Sequence, residues 1–247
     1  TSKGPAARIT RGQADKFKYR VKMKEIVENQ DNLDIIQQII DEIIVENVEI
    51  KGVISSLGIK YSAKSVVLCT GTFLKGRVVI GDVKYPAGRQ GEPSAEKLSD
   101  SLVENGIQID RYQTATPPRL DKRTIDFSKM EAMYGEEYPR YFSVFTEKEK
   151  NSIVPTYLTH TTPNTVSVAK DMLKYSPIVS GIIETHGPRH CPSLDRKVLN
   201  FPDKSDHQIF IEQESEDSNE MYINGLTTAM PPFAQEAMMK TIAGLEN

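Results

Sequence analysis

Thiols are scarce in this 247-residue chain, which has two cysteines, Cys69 and Cys191. With no secretory leader to read at its start, two thiols do not make a disulfide scaffold. They point instead to a reducing cytoplasm. Long apolar runs are also missing. None approaches the about 18 residues a membrane helix needs. The histidines are few (His160, His186, His190 and His207) and show no ligand spacing with cysteine or acid, which argues against a zinc site. No Ser-His-Asp arrangement can be argued. The turn "GRQGEP" at 88–93 has glycines but no following lysine and serine, so it is not a P-loop, and no GxGxxG occurs. Repeats and low-complexity tracts are absent.

What is present fits a globular protein of one large domain or two modest ones, with 38% hydrophobic and 26% charged residues. The net charge of −3 excludes a polycation. Charge is nevertheless uneven. Residues 1–24 carry Lys3, Arg8, Arg11, Lys16, Lys18, Arg20, Lys22 and Lys24 against Asp15 alone, while Glu214 to Glu220 is acidic. Such a basic stretch either meets phosphate or is a solvated helix face. The chain opens at Thr1 rather than methionine and stops at "TIAGLEN" within a helix-like pattern. An internal piece of a longer protein is the expectation.

Periodicity predicts a helix over 13–30, with Ala14, Phe17 and Val21 on one face. Short β-branched runs follow ("LDIIQ", "EIIVEN", "EIKGVIS", "IKYSA", "SVVLCTG"), with turn signals at Asn47 and at Leu57-Gly58. They predict a β-meander and then a strand ending at Thr70-Gly71-Thr72. The apolar "VVLC" suits a strand buried on both faces of a parallel sheet, with Cys69 as a packing residue. Gly71 would allow a ligand close to that strand's end. Ser94 is expected to cap a helix carrying Ala95, Leu98 and Leu102 and stopped by Gly106. Ser128 and Glu131 fit a capping box for a short helix ending at Gly135. "VPTYLTHTT", "HQIFIEQE" and "EMYINGLTT" read as strands, and 165–174 and the tail from Phe233 as helices. Strands alternating with helices make the class α/β.

The stretch "ETHGPRHCPSLDRKV" from Glu184 to Val198 places Cys191 among His186, Arg189 and His190. Nearby cations lower a thiol pKa, and the amino end of a helix begun by Ser193 would add positive potential. A thiolate so stabilised is a nucleophile suited to covalent catalysis. Cys191 reads as such a nucleophile or as a redox-active thiol; the alternative is a buried structural cysteine.

The blocks "KGPAARITRGQADKFKYR", "VVLCTGTFLKGRVVIG", "TPPRLDKRTIDFS", "YLTHT", "GPRHCPS", "HQIFIEQE" and "SNEMYINGLTT" run in order over essentially the whole chain. On these residues the chain resembles the GidA/MnmG flavoprotein family of tRNA uridine modification enzymes. The resemblance implies part of a Rossmann-like FAD-binding domain with a β-meander, plus an inserted α/β nicotinamide-nucleotide-binding domain. Residues 1–75 would be the first part of the FAD domain, 76–205 the insert and 206–247 the return segment. The family's glycine-rich pyrophosphate loop would precede Thr1, and its helical tRNA-binding end would follow Asn247. The implied reaction adds a carboxymethylaminomethyl or aminomethyl group at C5 of the wobble uridine of tRNA. It uses FAD, NADH and methylenetetrahydrofolate as carbon donor, with a GTPase partner subunit, in a cytoplasmic homodimer free of the membrane.

The same resemblance implies Cys191 as the catalytic residue. For FAD it implies Ile39, Ile40, Ser94 and Ala95, to which the close approach at Gly71 adds a third contact. Gly187 to Phe201 would meet the nicotinamide nucleotide: Gly187, Pro188, Arg189, His190, Cys191, Pro192, Ser193, Leu194, Asp195, Arg196, Lys197, Val198, Leu199, Asn200 and Phe201. Arg189, Arg196 and Lys197 are the residues that would face phosphate. Two rival readings stand beside this one. One is the folate- and FAD-dependent tRNA uracil-5 methyltransferase; the other is a non-catalytic tRNA-binding scaffold, favoured by the basic stretch 1–24.

Overall fold

The computed structural model describes residues 11–138, 141–146, 154–185, 193–204 and 206–247. Lys3, Arg8 and the stretch from Gly187 to Pro192, with Cys191, lie outside the described residues. The first helix, α1, is Lys16–Glu28, close to the expected span. Its face is not a core face, however. Phe17, Val21 and Ile26 are all about half exposed.

The meander forms as read. Strands β1 (Ile40–Glu46), β2 (Glu49–Ser55) and β3 (Lys60–Ser62) make an antiparallel sheet in that order. "LDIIQ" stays outside it, because the first strand starts only at Ile40. A two-residue loop joins β1 and β2, with Asn47 at φ 51° and Val48 at φ 68°. Positive φ at both positions matches the twist of a hairpin, but it is costly for a β-branched residue. Helix α2 (Leu98–Glu104) packs on β1. The Ile43 amide donates to Ser101 Oγ at 3.0 Å, and Lys97 meets Asp41 at 3.0 Å. A small hairpin, β4 (Arg77–Ile80) with β5 (Val83–Pro86), is tied to the rest of the chain by the Gly81 amide, which donates to Ala229 O at 2.7 Å.

The second sheet has five antiparallel strands in the order β6-β10-β9-β8-β7. These are β6 (Arg119–Asp121), β7 (Glu131–Met133), β8 (Thr156–His160), β9 (Gln208–Gln213) and β10 (Glu220–Asn224). The sheet crosses the expected boundary at 205/206, since β8 pairs with β9 and β6 with β10. Period-2 alternation sends Ile209, Ile211, Met221 and Ile223 to one face, where all are essentially fully buried. Helices α3 (Pro163–Met172), α4 (Leu194–Asn200) and α5 (Pro232–Met239) cover that face with Val166, Ala169, Leu194, Val198, Ala234 and Met238. The start of α3 is fixed by a capping box in which Thr162 and Thr165 exchange bonds.

The chain is α/β, yet several local expectations fail. Each sheet is antiparallel, and among the described residues 64–70 join no strand. Val67 is 84% exposed, Leu68 44%, and Cys69 is exposed rather than packed. An apolar strand buried on both faces needs partners on both edges, and no described strand offers it one. Ser94 does not cap α2. Its hydroxyl goes to Glu96, a carboxylate already gripped by Arg77 at 2.7 and 2.9 Å. The helix therefore starts three residues later, behind Lys97 with no side-chain cap. Ser128 and Glu131 form no capping box. Asp126 accepts from the Ser128 amide at 3.1 Å and closes a single 3₁₀ turn, and Glu131 enters β7 opposite Leu158.

Replacing Ile211 by Ala should cost about 2–5 kcal/mol in urea unfolding, because the site is closed on every side. Val48→Gly should stabilise by up to ~1 kcal/mol, since positive φ suits glycine and Val48 is 97% exposed with no packing to lose. A destabilised Val48→Gly variant would show that the loop is not strained.

Candidate functional site

Of the expected nucleotide segment, Ser193 to Phe201 is described, and it shows why that stretch is helical. The hydroxyl of Ser193 accepts from the Arg196 amide at 3.4 Å and caps α4, while the Leu194 amide donates to Thr227 O at 2.8 Å. The helix then divides its side chains between two surroundings. Leu194 and Val198 join the core; Leu199, Asn200 and Phe201 are exposed. Asp195 is fully buried beside Thr228, whose hydroxyl donates to it at 3.2 Å. Burial raises its carboxyl pKa, and the Thr228 and Ser176 hydroxyls and the Arg196 charge offset this only in part. Arg196 Nε is buried with no hydrogen-bond partner among the described residues.

Lys197 leans the other way, into a cavity of about 590 Å³ at the end of the five-stranded sheet. Its Nζ donates to Gly225 O at 3.0 Å. The other lining residues are His160, Lys204, Asp206, His207, Gln208, Phe210, Asn224 and Gly225. Burial pushes the Lys197 pKa down, and the neighbouring Lys204 charge adds to the effect. His207 is lowered for the same reasons, burial first and then Lys197 and Lys204. Gly225 is required here: at φ 106° a Cβ would stand 2.6 Å from Gln208 O. Sequence reasoning picked out Lys197 but missed Lys204, His207, Asn224 and Gly225 as its company. The available signal was the glycine directly after β10; nothing in the spacing linked it to α4.

The residues expected at the flavin lie in one neighbourhood. Ile40 opens β1, next to Asp41, which holds Lys97 of the 94–97 segment. Ala95 is hydrogen-bonded on both sides to the run just after Gly71, its amide to Phe73 O at 2.9 Å and its carbonyl from Lys75 N at 2.8 Å. Ile39 is 38% exposed, and Ser94 is buried against Glu96. At Gly71, φ is 54° and a Cβ would meet nothing within 4 Å, so the backbone there is open to close approach.

The basic stretch is not a free cationic surface. Arg11 grips the buried Glu212 with two bonds of 2.6 Å; Lys16 is paired with Glu214 and Lys18 with Glu216. Lys22 and Lys24 pair along their own helix with Glu25 and Glu28. Asp15 caps α1 through the Lys18 amide at 2.8 Å and also accepts from the Glu216 amide at 2.8 Å and Ser215 Oγ at 2.9 Å. Those amide bonds hold its carboxyl at about 2. Among the described residues, the end of β9 and the acidic turn after it thus pair with Arg11, Lys16 and Lys18 of the basic segment. Among the described residues no three His, Cys, Asp or Glu group to hold a metal, and no helix is long and apolar enough to cross a membrane.

A family model described as glucose inhibited division protein A matches residues 1–247. The tRNA uridine 5-carboxymethylaminomethyl modification enzyme MnmG 1 of Fusobacterium nucleatum is 66% identical over 257 residues, covering all of this chain and 41% of that protein. The enzyme named MnmG from Bacillus licheniformis is 44% identical over 247 residues, again all of this chain and 39% of its own length. The crystal structure of Aquifex aeolicus GidA (form I) superposes with a TM-score of 0.87 at 45% identity, over 95% of this chain and 40% of that one. The chain spans about two fifths of the length of the curated relatives it matches.

Asp195 supplies a test of the packing around α4. A carboxyl whose folded pKa is raised contributes stability that is complete below its unfolded value, about 4. That contribution is lost as pH climbs through the folded pKa. Asp195→Asn should therefore melt higher than the parent near neutral pH and show a flatter pH dependence above about 4. Thermal melts from acid to neutral pH check this; an equal loss of stability at every pH would contradict it.

Proposed function

We propose, from the premise that the chain belongs to the glucose inhibited division protein A family, that it is part of a flavin-dependent enzyme modifying the wobble uridine of tRNA. The observation that carries this reading is the family match along all 247 residues, joined to 66% identity with a relative named for that modification. The group added at C5 of the uridine would be carboxymethylaminomethyl or aminomethyl. NADH, methylenetetrahydrofolate, a GTPase partner subunit, a homodimeric state and a cytoplasmic location belong to the same proposal. So does the division into an FAD-binding part (1–75), a nicotinamide-nucleotide insert (76–205) and a return segment (206–247); the five-stranded sheet draws its strands from the last two of these.

The residues in hand suit the two nucleotides. The open backbone at Gly71, with the hydrogen-bonded 94–95 segment and Ile39–Ile40 beside it, supports the FAD reading. Bound FAD would supply the redox chemistry on the folate-derived carbon. The half-buried Lys197 at the rim of α4, next to Arg196 and Ser193, supports the reading of 187–201 as a nucleotide segment. The Cys191 thiolate would add to C6 of the uracil, forming an S–C6 bond at the expense of the C5–C6 double bond. C5 would then attack the electrophilic one-carbon unit, and loss of the C5 proton with expulsion of the thiolate would restore the ring. Arg189 and His190, directly before Cys191 in the sequence, favour the thiolate. The scaffold reading loses its main support, because Arg11, Lys16 and Lys18 are already paired with carboxylates.

In the full-length protein, Cys191→Ser should leave fold and flavin absorbance intact and abolish modification of tRNA, as read by nucleoside analysis. Undiminished turnover would remove Cys191 from the chemistry. A colourless protein that takes up no added FAD would overturn the flavin enzyme itself.

A further inference from the structure

The cavity at the end of the five-stranded sheet is lined by two lysines, two histidines and a single carboxylate. That carboxylate, Asp206, lies 3.9 Å from His160 Nε2 and balances at most one of the cations. Lys197 and Lys204 face the same space closely enough for the charge of one to depress the pKa of the other. Two ammonium groups facing one space repel, and an anion placed between them removes that repulsion. A second, independent feature points into the same space. His207 is 6% exposed, and its Nε2 is buried with no hydrogen-bond partner among the described residues. A buried polar atom left unpaired is costly, so its presence at a ligand-sized cavity signals a group that arrives from outside. The backbone shows why the space exists. Gly225 has no side chain to fill it, and its carbonyl fixes Lys197 at the rim.

We propose that this cavity binds a phosphate ester, its oxygens held by Lys197 and Lys204 and its remaining hydrogen-bonding group met by His207 Nε2. Lys204 and His207 stand outside the 187–201 segment, so the site is wider than the nucleotide reading of that segment. The proposal rests on that reading only for the source of the ester, a nicotinamide nucleotide; the phosphate chemistry stands without it. The other source of the same chemistry is the backbone of tRNA.

The test is a calorimetric titration of the full-length protein with inorganic pyrophosphate at low salt. Saturable binding is expected, weakened about tenfold or more by Lys204→Gln, since the variant loses a charge-assisted contact. Lys204 is exposed, so the variant should melt like the parent, and Lys204→Arg should retain binding. Lys84→Gln, an exposed cation on β5, should change nothing. No saturable binding to the parent protein, or equal loss in Lys204→Gln and Lys84→Gln, would overturn the site. Displacement of pyrophosphate by NADH identifies a nucleotide as the source. Displacement by tRNA and not by NADH identifies the RNA backbone; it removes the nicotinamide reading and leaves the phosphate site standing. Displacement by neither marks an adventitious ion only and overturns the proposal.

Discussion

Two adjacent strands, β9 and β10, carry most of what holds the chain together. Their inward positions, Ile209, Ile211, Met221 and Ile223, are closed off on one face by α3, α4 and α5. Their edges complete the sheet with β8 on one side and β6 on the other. At roughly 25 cal/mol per Å² of apolar surface, burying such side chains is the largest favourable contribution available to a chain of this size. The geometry of the cavity depends on it. Lys197 is aimed by α4, which is anchored by Leu194 and Val198, and His207, Gln208 and Asn224 sit at the ends of the same strands. The distribution is lopsided. Residues 11–115 add only a few buried positions, such as Ala87, Leu98 and Leu102, and they expose Phe17, Leu33, Ile35, Ile36 and Val67.

Electrostatics organise the other side of the molecule. Exposed ion pairs are individually worth little, of the order of 0–1 kcal/mol. Here, though, Arg11, Lys16, Lys18 and Arg119 converge on Glu212, Glu214 and Glu216. Glu212 is 2% exposed, and a buried carboxylate without Arg11 and Asn224 Nδ2 (3.3 Å) would be strongly penalised. The exposed pairs of Lys16 and Lys18 therefore fix where α1 lies, while Arg11 offsets the burial of Glu212. Together the pairs also engage Arg11, Lys16 and Lys18 of a segment that looks like a phosphate binder.

Much of the fold was legible in residue order. Alternation in "HQIFIEQE" and "EMYINGLTT" marks strands with one buried face, and the Val166–Ala169 spacing marks a helix, whose start at Thr162-Pro163 lies ahead of the expected 165. The failures share one cause, which is competition for a partner. Ser94 was a reasonable cap until Glu96, held by Arg77, took its hydroxyl. Ser128 fits a capping box by spacing, but Asp126 takes both its amide and its hydroxyl, and Glu131 enters β7. "VVLC" has the composition of a buried strand, yet composition does not supply neighbours, and the run stays exposed. Periodicity reports which face a residue prefers; it does not report whether another element comes to cover that face.

The candidate site divides along the same line. Sequence by itself determined the family, most of the strand and helix types, and the thiol and cations of the 186–197 stretch, because each is largely a property of neighbours along the chain. Only the tertiary structure decided that Lys197, Lys204, His160 and His207 share one cavity, and that Lys16 and Lys18 are already paired. Charge and hydrogen bonding act through space over a few ångströms, and residues far apart in sequence come that close only after the sheet has set its register.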